Sequence, residues 1–404
     1  MFYLISFRRY STGNFSEKHK YKLKIFMDTQ KKEKSLIVVG MSGGVDSSVT
    51  ALLLKEKGYD IIGLFMKNWD EKNKEDHCSA VEDFADVQKV CKKIDIPCHM
   101  VNFVDAYKKR VFSKFLEDFE KGFTPNPDIL CNREIKFNVF LHKAKELGAK
   151  YLATGHYAQI EKKEDTFSLL KGIDDKKDQS YFLYTLNQKV LSSIIFPLGH
   201  MTKKQVKQLA KKNFLPTAEK KESMGLCFIG KRPFRPFLKK YLFGYLPGNF
   251  EDLEGNIVGT HEGYAFYTIG QRKGLKIGGK GPAWFVVGKD ISRNIIFVAQ
   301  GENHPSLFYD DLTANELSWI EKEPEDFPFT CMAKIRYRQK DTTCTIEKII
   351  KGIAFVTFEK PQRAITARQA IVFYKKNRCI GGGMILSSGK SYYHKKKSLS
   401  SFLS

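Results

Sequence analysis

The chain has 404 residues, 42% hydrophobic and 28% charged, which excludes wholesale disorder and, at about 150 residues per domain, indicates two or three domains. Its 68 Lys and Arg against 45 Asp and Glu give a net charge of +23, which favours a polyanionic partner. No stretch reaches the roughly 18 consecutive apolar residues of a membrane span, and the eight sparse cysteines, without a CxxC pair, exclude a disulfide scaffold and a zinc knuckle.

Residues 1–34 stand apart from the rest. Phe2, Tyr3, Leu4, Ile5 and Phe7 precede Arg8-Arg9-Tyr10-Ser11-Thr12, and only Glu17 and Asp28 are acidic before Lys31. An Arg-bearing, hydroxyl-containing, acid-poor leader has the composition of a mitochondrial presequence, with Met27 available as a second start. A mitochondrial matrix location is therefore expected. From residue 36 the pattern alternates. The β-branched run 36–39 predicts a strand, and Val45, Val49, Leu52 and Leu53 predict a helix capped at Gly58. Strands follow at 61–65, 99–103 and 151–154, with helices at 81–94, 105–121 and 131–147 between them. Such alternation predicts an α/β domain over 35–238, built on a parallel sheet whose ligands sit beyond the carboxyl ends of its strands. Past residue 238 the helices fade. Strands at 264–267, 283–287 and 295–299, with a turn at Ser292-Arg293-Asn294, predict a β-rich central domain over 239–311. Evenly spaced strands near 331–338, 342–349, 352–359, 369–374 and 379–386 predict a small barrel over 312–386. The polar tail 387–404, with Lys395-Lys396-Lys397, is expected to fray.

Three segments carry the chemistry. Gly40-Met41-Ser42-Gly43-Gly44-Val45-Asp46-Ser47-Ser48 joins the first strand to the first helix. Glycines let the backbone approach phosphates, a helix start offers unpaired N–H groups, and the serines add hydroxyl donors. No Gly-Lys-Ser/Thr closes the loop, so it is not a Walker loop. Asp46 fits a Mg²⁺ or pyrophosphate-side residue better than a buried cap. The second segment is Thr124-Pro125-Asn126-Pro127-Asp128-Ile129-Leu130-Cys131-Asn132-Arg133, with a helix expected to start near Cys131. A thiolate there would gain from the helix dipole and from Arg133, while Asp128 fits a proton acceptor or a base contact. Cys227, between Gly225 and Gly230, is the third candidate, in a loop free to move. Cys78, Cys91, Cys98, Cys331, Cys344 and Cys379 read as packing residues. In the barrel, period-2 alternation puts Lys334, Arg336 and Arg338 on one face, fit to track phosphates, with Gln271-Arg272-Lys273-Gly274 in similar service.

SGGVDSS after a β-branched strand resembles the PP-loop of ATP pyrophosphatases. Together with TPNPDILCN, TGHYA, KDQSYFL, GLCFIG and YTIGQRKGL, in order over roughly residues 36–386, it resembles the tRNA-specific 2-thiouridylases (MnmA/TrmU); with the leader, the mitochondrial type. The resemblance implies a PP-loop α/β catalytic domain, a small central domain and a C-terminal β-barrel. It implies 2-thiouridine formation at the wobble position of mitochondrial tRNAs, using ATP with Mg²⁺ to adenylate the uridine and a cysteine persulfide to deliver sulfur. The donor would be a cysteine desulfurase or a relay protein. By this resemblance Gly40, Met41, Ser42, Gly43, Gly44, Val45, Asp46 and Ser47 hold ATP, with Met66 and Gly155 completing the pocket. Cys131 is the nucleophile, Cys227 carries the persulfide, and Asn126, Pro127 and Asp128 meet the base. His156, Lys177, Asp178, Gln179, Arg336, Tyr337 and Gln369 contact tRNA. One departure stands out. The family usually has Pro-Gly before that glutamine, whereas Ala367-Arg368 stand here, and an arginine does not readily take positive φ. Two rival readings explain less. Another PP-loop adenylating enzyme would need neither cysteine, and a non-catalytic tRNA-binding protein would need neither cysteine nor the intact loop.

Overall fold

The computed structural model describes residues 35–70, 79–221, 234–242 and 246–399. The leader over 1–34 and the GLCFIG segment with Cys227 lie outside the described residues. Among those described, no helix is long and apolar enough to cross a membrane.

The first domain alternates β1 (Leu36–Met41), α1 (Val45–Glu56), β2 (Asp60–Lys67), α2 (Ser79–Ile94) and β3 (Cys98–Asn102). Two composite helices follow, each with a π-helical middle. α3 joins Val104–Tyr107, Lys108–Phe112 and Ser113–Glu120; α4 joins Pro127–Leu130, Cys131–Phe140 and Leu141–Glu146. Then come β4 (Tyr151–Ala153), the hairpin β5 (Ala158–Lys163) and β6 (Thr166–Lys171), β7 (Ile194–Ile195) and α5 (Lys203–Lys212). Five strands form a parallel sheet in the order β3-β2-β1-β4-β7. It is covered on both faces, and Ile37, Val38 and Val39 of its central strand are wholly buried. Strand order reverses between β1 and β4, and ligands of such sheets bind in the crevice outside that switch point. The loops leaving β1 and β4 carry SGGVDSS and TGHYA, so topology alone brings those two motifs together.

The short helix α6 (Phe234–Leu238) precedes the central sheet of β8 (Gly248–Glu251), β9 (Ile257–His261), β10 (Trp284–Asp290) and β11 (Ile295–Gln300), in the order β10-β11-β8-β9. The strand expected at 264–267 is instead a 3-10 turn, Tyr264–Phe266. It is entered through Gly263 at φ 128°, which only glycine adopts freely.

β12 (Phe308–Trp319), β13 (Phe329–Lys334), β14 (Thr342–Ile350), β15 (Ile353–Arg363), β16 (Ala370–Lys375) and β17 (Arg378–Ser388) close a six-stranded antiparallel barrel. β12 pairs with both β15 and β17 to seal it, and bulges interrupt both pairings. The hairpin of the first domain extends this sheet, with Leu169 and Leu170 opposite Cys379 and Arg378. One core consequently runs from Val38 and Leu64 through Phe137 and Tyr181 to Val372 and Tyr374. Tyr181 is fully buried in it and donates its hydroxyl to the Ala370 carbonyl at 3.0 Å. Burial of an aromatic side chain of this kind contributes roughly 1.5–3 kcal/mol to holding barrel on sheet.

Two sequence expectations fail in the barrel. β13 ends at Lys334, and the chain then turns, with Arg338 at φ 66°. Lys334, Arg336 and Arg338 therefore do not share a strand face. Lys334 is buried, 3.5 Å from Asp178 and 3.6 Å from Asp341, so it braces the two domains instead of tracking phosphates. Nor does the whole tail fray. Tyr392 and Leu399 pack with Phe285, Leu307 and Phe308, and Lys395 pairs with Asp310 and, at 2.7 Å, Asp311.

Candidate active site at the switch point of the sheet

Between β1 and α1 the backbone turns at Gly43, φ 71°, where a Cβ would lie 2.6 Å from the Asp83 carbonyl oxygen. Both sterics and backbone demand glycine there. Gly44 is the N-cap of the 12-residue α1 and no side chain caps it, so the positive end of the helix is available to an anion. Ser47 Oγ accepts the Ser42 N–H at 3.1 Å and lies 3.2 Å from Ser42 Oγ, which fixes the loop's shape. Ser48 turns inward, donating to the Gly44 carbonyl at 2.8 Å and accepting from Thr217 at 2.9 Å. Met41 and Val45 flank the loop and are buried, and Met66, half-buried, is the penultimate residue of β2, the strand paired with β1. A Cβ on Gly155 would stand 3.1 Å from Ser47 N, so TGHYA abuts the start of α1. On the other flank, a Cβ on Gly40 would meet Phe140 of α4 at 3.1 Å. The end of β1, just before the loop, thus touches the helix that carries Cys131.

Asp46 is held by two groups that the sequence reading missed. Tyr157 donates its hydroxyl at 2.8 Å, and Lys203 Nζ lies 2.7 Å from both carboxylate oxygens. Lys203 opens α5 behind a Thr202–Gln205 capping box, and its backbone N–H donates to Asp174 at 2.9 Å. Glycine loop, open helix start, Ser42 hydroxyl and Lys203 ammonium together form a donor set suited to a polyphosphate. Among the described residues no three His, Cys, Asp or Glu side chains gather as a metal cage. The carboxylate that would hold a Mg²⁺ here is Asp46, both of whose oxygens Lys203 now occupies.

The α4 start differs from expectation. Asn126 is the N-cap, its Oδ1 accepting the Asp128 N–H at 3.1 Å, and Pro127 occupies the first helical position. Cys131 therefore sits a turn inside the helix, where the dipole's effect has faded. Arg133 turns to Glu134 at 2.8 Å and to Glu316 at 3.7 Å, so neither expected support for a thiolate is in place. What fixes Cys131 is packing: it is 2% exposed among Trp69, Phe112, Leu130 and Ile135. Its neighbour Asn132 donates to the Phe182 carbonyl at 3.0 Å, while its buried Oδ1 has no partner among the described residues. Burial pushes the Asp128 carboxyl above the usual carboxylate range, with Lys136 pulling it partly back. Burial also holds His156 well below its ordinary pKa, and Lys136 pushes the same way, so the ring is neutral at pH 7. It lies between Phe137 and Phe196, 2.7 Å from Thr154 Oγ1.

The remaining tRNA candidates divide by exposure. Lys177 is half-buried. Asp178 is buried, accepting the Gly172 and Ser180 N–H groups at 3.1 Å, so its carboxylate is engaged inside the protein. Gln179 accepts the Tyr157 N–H at 3.0 Å and so braces TGHYA. Arg336 NH2 reaches the Ile269 carbonyl at 3.1 Å and that of Ala364 at 2.7 Å, knitting central domain to barrel. Tyr337 packs on Phe182 at 4.5 Å. Arg368 does adopt positive φ, 67°, and Gln369 donates to the Thr124 carbonyl at 2.6 Å, beside the segment of Asn126 and Pro127.

Three family models match in series: a tRNA methyl transferase HUP domain over residues 35–231, a tRNA methyl transferase PRC-barrel domain over 235–300 and an aminomethyltransferase β-barrel domain over 309–385. The tRNA-specific 2-thiouridylase MnmA of Protochlamydia amoebophila is 58% identical over 369 residues, covering 91% of this chain and 98% of its own. The protein of the same name from Shouchella clausii is 53% identical over 356 residues, 88% of this chain and 98% of its own. A solved U34-tRNA thiolase NcsA from Methanococcus maripaludis aligns at TM-score 0.35 and 19% identity over 52% of this chain and 68% of its own, too distant to add to the assignment. The domain descriptions speak of methyl transfer, whereas the relatives matched over nearly their whole length are thiouridylases, and that coverage decides between the two. With its parallel-sheet domain, central domain and closed barrel, the chain belongs to the MnmA family of tRNA-specific 2-thiouridylases, tRNA-uridine 2-sulfurtransferases.

Proposed function

We propose that the enzyme thiolates the wobble uridine of tRNA by adenylating its O2 with ATP and then replacing that oxygen with persulfide sulfur. The observation that carries this reading is the packing of the end of β1, at Gly40 where it leads into the glycine loop, against Phe140 on the helix that holds Cys131. A base bound along that helix, between the glycine loop and Cys131, has phosphate-binding groups on one side and the thiol roughly 13 Å of helix away on the other. The uridine O2 attacks the α-phosphate and pyrophosphate leaves, with Lys203 and the open helix start balancing charge on the phosphates. The terminal sulfur of a Cys227 persulfide then attacks C2, and AMP departs with the former O2. Cys131 attacks the Cys227 sulfur, the S–S bond breaks, and its electron pair stays on the sulfur now double-bonded to C2. A Cys131–Cys227 disulfide remains, and an external thiol returns it to two thiols. The persulfide comes from a cysteine desulfurase or a relay protein, and Mg²⁺ accompanies ATP. The net charge of +23 supports phosphate-backbone binding, and the wobble base must leave its stack to reach a buried thiol. ATP, a persulfide donor and unmodified tRNA should give 2-thiouridine in digested nucleosides. Persistence of uridine with the complete mixture would contradict the reading.

In this scheme Asp128 accepts the N3 proton that the uridine loses as its O2 attacks the α-phosphate, and must be ionised to do so. Because burial raises its pKa, activity should fall, as pH drops, above the ordinary carboxylate range. Asp128→Asn should remove that acid limb and slow thiolation by about 10²–10⁴. Stability moves the other way. A carboxyl whose pKa is raised by folding loses stability as pH rises through that pKa, so the amide should melt higher than wild type at pH 7. An unchanged pH–rate profile in Asp128→Asn would remove Asp128 from proton transfer.

We also propose a mitochondrial matrix location. The relatives named above are bacterial, so support comes from the composition of residues 1–34 alone. Translation started at Met27 should leave the enzyme in the cytosol on fractionation, and matrix localisation of that shortened chain would contradict the proposal.

A further inference from the structure

Where the barrel meets α3 and α4, a cluster of charges takes no part in the steps above. Arg368, between β15 and β16, reaches Asp118 of α3 at 3.1 Å and Glu316 of β12 at 3.3 Å. Glu316 also lies 3.6 Å from Lys114 and 3.7 Å from Arg133, which is two residues beyond Cys131 on α4. Two of these residues stand on left-handed backbone, Arg368 at φ 67° and Glu316 at φ 46°. Such strain persists where surrounding contacts over-determine it, and the two strained residues pair with each other and with the catalytic domain. The Arg368 guanidinium also lies over the Phe123 ring at 5.6 Å, and Gln369 holds the Thr124 carbonyl at 2.6 Å. From the central domain, Lys289 Nζ donates to the Gly122 carbonyl at 2.8 Å. The stretch 118–124, which delivers Asn126 and Asp128, is thus gripped by the other two domains. The Arg368 side chain is 24% exposed with two carboxylates against it, an environment suited to an internal tie more than to a phosphate contact.

We infer that Arg368 is a positioning residue for sulfur transfer: through Asp118 and Glu316 it locks the barrel to the segment and helix that present Asp128 and Cys131. The inference rests on the thiolation reading above. Arg368→Gly removes the guanidinium while relieving the backbone, and Arg368→Lys keeps a charge for Asp118. In single-turnover thiolation of bound tRNA, Arg368→Gly should be about tenfold slower, since small misplacement of reacting groups is expensive. Its affinity for tRNA should be unchanged, amide hydrogen exchange over residues 119–132 should accelerate, and Arg368→Lys should recover most of the rate and protection. A full rate with unchanged exchange in Arg368→Gly would overturn the inference, and so would a rate loss explained by weakened tRNA binding. Failure of the wild-type enzyme to thiolate tRNA would overturn the parent reading instead. The exchange measurement would still decide whether Arg368 holds the segment.

Discussion

Cys131→Ser should lower catalytic thiolation by at least about a thousandfold while tRNA and ATP binding persist, because a buried thiol supplies no binding charge. The variant should still accept persulfide sulfur at Cys227, visible by intact-protein mass spectrometry after incubation with a desulfurase and cysteine. Cys227→Ser should accept none. Each outcome follows from the proposed division of labour, in which Cys131, packed with Trp69, Phe112 and Ile135, is the fixed nucleophile and Cys227 is the sulfur carrier. Persulfide found on Cys131, or full activity in either serine variant, would overturn that division.

Asp46→Ala should have a comparably large effect at the other half of the reaction. Its carboxylate orients Lys203 and Tyr157 beside the helix start, so its loss disturbs ammonium and loop together. Pyrophosphate release should fall by at least about a hundredfold. Lys203→Met should cause a loss of similar order. Affinity for tRNA should change little in both, because in the proposed reaction these groups serve the nucleotide alone. Near-normal AMP production by Asp46→Ala would contradict the assignment of this loop.

Local chemistry made part of this arrangement legible in the sequence. The run Ile37-Val38-Val39 followed by Gly43-Gly44 announces a buried strand and a phosphate-type turn, and strand–helix alternation places that turn at the sheet's ligand-binding end. Lys203 was not legible. Its contact with Asp46 spans 157 residues, and nothing in a Lys-rich stretch marks it. The start of α4 is readable in Asn126 as N-cap before Pro127, which puts the first turn ahead of Cys131. β12 escaped because bulges break its alternation around Asp310, Asp311 and Asn315. Arg336 looked like a phosphate contact by strand periodicity, yet the strand stops at Lys334 and the turn points Arg336 at backbone carbonyls. Arg368 shows the converse: a residue that local sterics disfavour is held in place by carboxylates from two domains.

In the proposed reaction the nucleotide loop activates one oxygen atom of the base and the thiols then replace it. A tRNA carrying heavy oxygen at O2 of the wobble uridine, turned over with unlabelled ATP and a persulfide donor, tests it most directly. One heavy oxygen is expected in the AMP released, matched mole for mole by 2-thiouridine and by pyrophosphate. Unlabelled AMP accompanying 2-thiouridine would show that the base oxygen never joined the α-phosphate, and would contradict it.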